Sequence, residues 1–172
     1  MKCFKLLLVI LILLTITTPT NAQKKGDMYT GGKLGLSFYS FDGEALTGFA
    51  IAPEFGYFIT DKIKIGTELQ YSYSDEIHTL LFIPNIAYNL QIYKNLIFTP
   101  QVGICGGFGN DNGMTLGVIG FSLNLAAFEY RPTDKIGIAF SLVNLNYQYI
   151  DGAHYTNFNL SAAPAIGFRY YF

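Results

Sequence analysis

The sequence predicts an all-β protein, namely a transmembrane antiparallel up-and-down β-barrel of eight strands. Three observations predict this fold: a short apolar segment near the start, long stretches in which apolar residues alternate with small or polar ones, and a high aromatic and glycine content. The chain has 172 residues, of which 51% are hydrophobic, with 13 Tyr, 15 Phe and 18 Gly. Apolar content of this size without a membrane helix indicates strands that face lipid.

The first segment has the features of a secretory signal peptide. Two lysines precede an apolar run from Leu6 to Leu14, and the segment closes on Ala22, a small residue suited to cleavage. The run is shorter than the roughly 20 residues that a spanning helix needs. We therefore expect a signal peptide over 1–22 and a single exported domain over 23–172, in which the β-barrel lies.

Charge and cysteine content exclude some functions. Eleven basic side chains less the two lysines of the leader leave nine, against twelve acidic ones, which gives a net charge near −3 for 23–172. No basic surface for nucleic acid is expected. Cys105 is the single cysteine of this part, so an intrachain disulfide is excluded. We expect no cofactor and no bound metal.

Alternation predicts each strand. Period-two patterns over segments longer than the about 5 or 6 residues of an ordinary strand are typical of membrane-spanning strands. The predicted strands are 33–40, 47–59, 63–74, 79–90, 96–105, 115–131, 136–150 and 155–172. The last is the most regular, because every even position from Phe158 to Phe172 is apolar or a proline.

Two predicted strands change phase. The apolar set moves from even to odd positions between Leu142 and Val143, and a similar change lies between Leu125 and Phe128. A slip of one residue would turn the wrong face to lipid, so we predict a bulge or bend in each strand. Ordinary β-sandwich strands with two buried patches remain an alternative at this point.

The connections alternate in character. Tight turns are predicted at 60–62, 91–95 and 132–134, and acidic or glycine-rich loops at 41–46, 75–78, 106–113 and 151–154. Such alternation places one set at each end of an up-and-down meander. We expect the second set to face the cell exterior.

A short motif recurs near the tight-turn end of the even-numbered strands. Its copies are PEFGY (53–57), PNIAY (84–88), PAIGF (164–168) and the degraded AAFEY (126–130). The aromatic residues at its end are Tyr57, Tyr88, Tyr130 and Phe168. A ring of aromatics at one level predicts a girdle at a membrane interface. Because proline lacks an N–H, we expect the motif prolines at bulges or near the interface.

On these residues the chain resembles the small outer-membrane β-barrel proteins of Gram-negative bacteria, a porin-like family with an OmpX- or OmpA-type transmembrane domain. The resemblance covers about residues 33–172 and rests on the alternation, on PEFGYFITDKIKIG and on the terminal GFRYYF. It implies location in the outer membrane, contact with outer-membrane lipid and lipopolysaccharide, and recognition by the outer-membrane assembly machinery. The implied assembly signal consists of Ile166, Phe168, Tyr170 and Phe172.

In each predicted strand the positions between the apolar ones point inward, and several of these positions hold charged residues. The predicted lumen charges are Lys33, Glu54, Lys64, Glu68, Glu129, Arg131 and Arg169. Eight strands enclose a space that side chains can fill, so we expect these charges to pair and plug the lumen. The leading hypothesis is a monomer with a structural, protective or surface-interaction role. The alternative is a small-molecule transport or binding barrel with a narrow channel or lateral gate.

An enzymatic role is not expected. HYTN places Thr156 two residues after His154, which loosely resembles the His-x-Ser of lipid A deacylases, a class of lipid-modifying outer-membrane enzymes. No carboxylate follows His154, however, and the nucleophile position holds threonine, so the pattern of a base with an orienting group is incomplete. The acidic residues of the outer loops leave open a weak divalent-cation site.

Overall fold

A computed structural model describes residues 24–41, 44–74, 77–111, 114–150 and 153–172. Within these ranges, only the backbone is described for 36–41, 44–47, 74, 77, 111, 150 and 153–164. The predicted signal peptide, 1–22, lies outside the described residues. In the described part of the chain, no helix is long and apolar enough to cross a membrane.

The described residues form strands in this order: β1 (Met28–Phe41), β2 (Glu44–Phe58), β3 (Ile63–Ser74), β4 (Ile77–Tyr88), β5 (Leu90–Tyr93), β6 (Leu96–Phe98), β7 (Gln101–Asp111), β8 (Met114–Asn124), β9 (Ala127–Tyr130), β10 (Ile136–Ile150) and β11 (Ala153–Tyr171). Every pairing between them is antiparallel. β4 continues into β5, β6 into β7 and β8 into β9. The eleven strands therefore form the eight long strands of a barrel, each of which we call a stave.

The sheet closes on itself. Neighbouring staves pair in chain order, and β11 pairs with both β10 and β1. The closing ladder between β1 and β11 runs from Tyr29↔Tyr171 to Leu34↔Ile166. The predicted fold, an antiparallel up-and-down β-barrel of eight strands, is confirmed. We call the end with the turns near residues 60, 95 and 133 the tight-turn end, and the opposite end the loop end.

Several strand boundaries differ from the prediction. β1 begins at Met28, five residues before the predicted 33, and the glycine-rich segment predicted as a loop is strand as far as Asp111. Glycine 106 pairs with Ile119 and continues the ladder, because backbone hydrogen bonds do not depend on the side chain. The predicted turn 91–95 is shorter, since β5 ends at Tyr93.

Both predicted irregularities are confirmed. The β10–β11 register shifts between Ser141 and Val143. The sixth stave breaks between Asn124, the end of β8, and Ala127, the start of β9. A third break, at 99–100 between β6 and β7, was not predicted. Proline 100 has no N–H for the ladder, which explains an interruption at this position.

Pro164 lies in the register shift of the β10–β11 ladder, between the partners Ala165 and Leu160, as expected for a bulge. Pro53 and Pro84 lie instead in gaps of the ladder without a bulge, which corrects that part of the expectation. Near Pro53 the β2–β3 ladder passes from Ile51↔Tyr71 to Glu54↔Glu68 with an unchanged register. Near Pro84 the β4–β7 ladder passes in the same way from Phe82↔Gly106 to Asn85↔Gly103. A short gap on one side of the strand accommodates a residue without N–H and needs no extra residue.

The barrel has charged residues inside and apolar residues outside. Its largest fully buried side chains are Arg169, Tyr29, Phe58, Lys64 and Glu129. The most exposed large apolar side chains include Leu34, Ile104, Phe108 and Ile119, all on the outer face. This distribution is the reverse of a water-soluble domain and suits a wall surrounded by lipid.

Candidate functional site: the plug of the lumen

All seven predicted lumen charges meet at the tight-turn end of the barrel interior. Strands β1, β2, β3, β9 and β11 carry six of them, and Arg131 follows β9 directly. Each has at least one ion-pair partner of the set within 3.9 Å, so that the seven form one connected network. We call this network, together with the neighbouring rings of Tyr29, Phe58 and Tyr171 on its tight-turn side, the plug.

Arg169 links two carboxylates across the barrel. Its Nε and Nη2 donate to the two carboxylate oxygens of Glu54, at 2.5 and 3.0 Å, and its Nη1 donates to Glu129 Oε2 at 2.6 Å. The Glu54 contact is bidentate, which is the strongest geometry for this pair of groups. Since β11 and β2 both flank β1, the contact with Glu54 joins the two strands on either side of β1.

Glu129 is the centre of the network. Its carboxylate is fully buried and receives hydrogen bonds from Arg131 Nε at 2.5 Å and from the Tyr171 hydroxyl at 2.6 Å. Lys64 Nζ lies 3.9 Å from its Oε2. With Arg169, three cations therefore converge on one carboxylate, which offsets the desolvation of that charge.

Lys33 and Glu68 form the edge of the network that lies nearest the loop end. Lys33 Nζ lies 2.5 Å from Glu68 Oε1 and 3.5 Å from Glu54 Oε2. Gln101 Nε2 also donates to Glu68 Oε1, at 2.7 Å. The amide of Gln101 thus joins the charged region to the neutral polar region above it.

A cluster of aromatic rings, which we call the aromatic floor, lies on the tight-turn side of the charges. The rings of Tyr29, Phe58 and Tyr171 have centroids 5.4 to 6.4 Å apart. The Arg131 guanidinium carbon lies 3.6 Å from the centroid of the Tyr171 ring, a cation–π contact. At Gly56 an added Cβ would collide with the Tyr29 ring, so glycine is required there. Charges and rings together fill the lumen at this level.

The floor was not predicted, although the sequence carries a signal for it. Tyr29 continues the inward alternation of Lys33, Phe58 that of Glu54, and Tyr171 that of Arg169. Tyr29 precedes residue 33, at which the first predicted strand begins. Phe58 and Tyr171 carry no charge, so the predicted set of lumen charges does not include them.

A polar cavity of about 180 Å³ lies between the plug and the loop end. Its neutral polar lining consists of Gln70, Gln101, Ser122, Asn124, Ser141, Asn144 and Asn146, with Lys33 and Glu68 at its base. Ser141 Oγ lies 2.7 Å from Asn124 Oδ1 and 3.0 Å from Asn144 Oδ1. The cavity has room for several water molecules or one small solute.

The predicted girdle residues lie at the tight-turn end on the outer face. Tyr57, Tyr88, Tyr130 and Phe168 each lie within three residues of the end of a strand. Tyr88 and Phe168 are exposed, and the other two are half-buried. A second outer aromatic group, not predicted, lies towards the loop end and contains Phe49, Tyr71, Tyr73 and His78, with the Tyr71 hydroxyl 2.8 Å from His78 Nδ1.

The four residues of the implied assembly signal, Ile166, Phe168, Tyr170 and Phe172, are exposed on the outer face of β11 and at the chain end. Phe172 exchanges two backbone hydrogen bonds with Met28, at 3.1 and 3.2 Å. The last residue is therefore fixed to the first strand while its ring remains accessible.

The remaining candidates divide into two groups. Cys105 is a free thiol buried beside Leu81, Ile83 and Val118 in the loop half of the lumen. The side chains of His154, of Thr156 and of the acidic loop residues lie outside the described ones. Within the described part of the chain, no group of three or more potential metal ligands occurs.

Three solved structures share this architecture. The N-terminal β-barrel domain of Pseudomonas aeruginosa OprF has a TM-score of 0.52 at 18% identity and covers 87% of this chain and 100% of its own. The outer membrane protein OprG of the same organism gives 0.52 at 13% identity, covering 89% of this chain and 99% of its own. Neisserial surface protein A has a TM-score of 0.50 at 11% identity and covers 84% of this chain and 94% of its own.

The chain therefore has the fold of the small eight-stranded outer-membrane β-barrels. At these sequence identities the likeness concerns the fold alone. No protein-family model matches the chain, and no curated protein sequence matches it either.

Proposed function

We propose that this chain is an integral protein of a bacterial outer membrane, exported through a cleaved signal peptide over 1–22 and inserted as a monomer. The apolar outer face and the aromatic residues towards both ends support a membrane-spanning position. A closed barrel pairs its backbone groups between staves, which lipid requires. Outer-membrane lipid and lipopolysaccharide are then its surroundings, and no nucleic acid is a partner.

Its role in this proposal is structural, protective or surface-interacting, without catalysis and without a cofactor. The plug is the observation that carries this role, because seven charged side chains and three rings occupy the tight-turn half of the lumen. A lumen filled in this way does not serve as a diffusion pore.

The membrane assignment has a direct test. The chain over residues 23–172 is folded into detergent micelles and run on a denaturing gel with and without heating. A folded barrel resists the detergent until heated, so two different positions are expected. A chain that stays soluble and folded without detergent would contradict the assignment, as would a single gel position while circular dichroism reports strands.

We also propose that Ile166, Phe168, Tyr170 and Phe172 are read by the outer-membrane assembly machinery. Phe172→Ala keeps the backbone hydrogen bonds to Met28 and removes only the ring. The expected result is less folded protein in the outer membrane of cells, with unchanged folding of the purified chain into micelles. Phe108→Ala, another exposed outer phenylalanine, is the matched control. Equal loss with both variants would contradict a signal.

A second candidate function is the binding or transport of a small molecule. The 180 Å³ cavity above the plug favours it, because its amide and hydroxyl lining can hold a small polar solute. Transport past the plug would need a narrow channel or a lateral gate. Discrete ion steps in planar bilayers that disappear when Gly103→Leu narrows the lumen would favour this candidate over the closed barrel.

A further inference from the structure

The first and the last strand of the barrel pair only near the tight-turn end. Their ladder ends at Leu34↔Ile166, whereas the described backbone of β1 continues to Phe41 and that of β11 begins at Ala153. On its other side β1 pairs with β2 along its whole length, as far as Phe41↔Glu44. We call the boundary between β1 and β11 beyond Leu34↔Ile166 the seam. The seam is an interruption of the barrel wall between two strand edges.

The sequence of β11 explains the seam. Next to it the β10–β11 ladder passes from Ser141↔Ala165 to Val143↔Leu160, so that one residue of β10 lies opposite four of β11. Those four residues, 161–164, are Ser-Ala-Ala-Pro. A bulge bends the strand that contains it, and a proline has no N–H to donate to a neighbouring strand. Strand β11 therefore leaves the course of β1 at this position.

The seam leads into the polar cavity of about 180 Å³. Gly35 and Ala165, the first residues beyond the last pair on each strand, both line this cavity. On the outer face the neighbouring side chains are those of Leu34 and Ile166, both exposed. An added Cβ at Gly35 would lie 3.8 Å from the Ala50 Cβ, on the β2 side. Glycine thus leaves the β1 edge of the entrance without a side chain.

We propose that the seam is a lateral entrance through which the cavity takes up an uncharged amphiphile from the membrane. Its hydroxyl-bearing head lies in the cavity, and its alkyl chain passes between Leu34 and Ile166 into the surrounding lipid. This inference rests on the second candidate function, the binding of a small molecule by the cavity.

The lining of the cavity selects the head. Its amides and hydroxyls, such as those of Gln70, Ser122 and Asn146, both donate and accept hydrogen bonds. Lys33 and Glu68 at its base are paired with each other at 2.5 Å, so a charged head would have to separate them. At about 30 Å³ for a water molecule, a cavity of 180 Å³ holds a head of about six heavy atoms, the size of glycerol. The polar head distinguishes this occupant from the lipid around the apolar wall.

A hydroxyl-bearing head also suits the two strand edges. Backbone N–H and C=O groups in a membrane need hydrogen-bond partners, which alkyl chains do not provide. Hydroxyl groups at the seam provide them, as does water from the cavity. A purely apolar occupant would leave the edges without such partners.

The open seam is tested with two pairs of cysteines that share position 35, in a Cys105→Ser background. Gly35→Cys with Ala50→Cys spans a paired ladder, where the Cβ distance of 3.8 Å suits a disulfide. Gly35→Cys with Ala165→Cys spans the seam. We expect the first pair to oxidise readily in the folded barrel and the second to need a longer bismaleimide reagent. Equal disulfide formation by both pairs would show a closed seam and overturn the proposal.

The entrance is tested by the rate at which the folded barrel takes up 1-monooleoylglycerol, measured as the bound complex in native mass spectrometry. Bridging the seam should slow loading about tenfold, because a blocked entrance acts on the association rate. The Gly35–Ala50 disulfide, which begins at the same residue, should load like the wild type. Methyl oleate, which has the same alkyl chain but no hydroxyl, should not be retained.

Equal loading of both bridged variants would overturn the lateral entrance, and equal retention of methyl oleate would overturn the selection of the head. A barrel that binds glycerol but not 1-monooleoylglycerol would contradict this inference and keep the second candidate function, whereas retention of neither would contradict both. Should the cysteine pairs fail to fold, Gly35→Leu narrows the seam and Ala50→Leu narrows the cavity alone. Slower loading is then expected with Gly35→Leu only.

Discussion

The two halves of the lumen share one wall and differ in what fills it. At the tight-turn end the inward side chains are long and charged or aromatic, and Glu129, Lys64 and Phe58 are almost completely buried. Towards the loop end the inward residues include glycine, alanine, serine and amides around a cavity of about 180 Å³, together with the small apolar cluster of Leu81, Ile83, Cys105 and Val118. Strand number is the same in both halves, so the closed lumen that we propose would depend on the size and charge of the side chains at the tight-turn end.

The difference also separates two kinds of stabilising contact. The plug contains four basic and three acidic groups that are taken out of water and depend on one another. Removing one partner leaves the others uncompensated, which is costly for a buried pair. The polar side chains around the cavity have water as an alternative partner, so each of them matters less.

The largest expected effect is at the centre of the plug. Glu129→Gln removes the charge on which Arg131, Arg169 and Lys64 converge, and we expect a loss of about 3 to 5 kcal/mol in the free energy of unfolding. Urea unfolding of the barrel in lipid vesicles measures it. Asp134→Asn, an exposed carboxylate of a tight turn, should change the value by less than about 0.5 kcal/mol. Equal effects at both sites would show that Glu129 has no special role.

The aromatic floor gives the next largest effect. Gly56→Ala forces the Tyr29 ring to move and should cost about 1 to 3 kcal/mol. In a Tyr29→Ala background the same substitution should cost clearly less, because the collision is gone. Gly106→Ala, whose added Cβ would meet nothing within 4 Å, is the control. Additive effects of the Gly56 and Tyr29 substitutions would contradict the packing described.

A smaller effect is expected at the boundary of the two halves. Glu68→Gln weakens the contact with Lys33 but leaves Glu54 as its second carboxylate, so we expect a loss of about 1 kcal/mol. The same urea titration measures it. A loss as large as that of Glu129→Gln would extend the strongly coupled region of the plug up to the cavity.

The smallest effect is expected in the cavity lining. Asn146→Ala should change the free energy of unfolding by less than about 0.5 kcal/mol, because water can replace the amide. A loss above about 2 kcal/mol would mean that the loop half is as tightly coupled as the plug and would remove the contrast between them.

Much of this architecture could be predicted from period-two alternation. Because one face of each strand meets lipid, parity fixes which residues point inward, and all seven lumen charges were found in this way. Which carboxylate meets which cation was not predictable, since it depends on the stagger between staves. Arg169 meets Glu54, 115 positions earlier in the chain.

The break at 99–100 was hidden for a different reason. Phe98, Pro100 and Val102 keep the outward parity of the predicted strand 96–105, so the alternation passes through the interruption without a change of phase. Only the missing N–H of the proline indicated it.

Closure of the lumen by the plug is tested most directly by single-channel conductance in planar bilayers. The wild type is compared with a variant in which Glu54, Glu129, Arg131 and Arg169 are all alanine, which removes two charges of each sign. We expect no discrete ion steps from the wild type and discrete steps from the variant, with both shown to be folded by their heated and unheated gel positions. Steps of the same size from both proteins would contradict the closed plug.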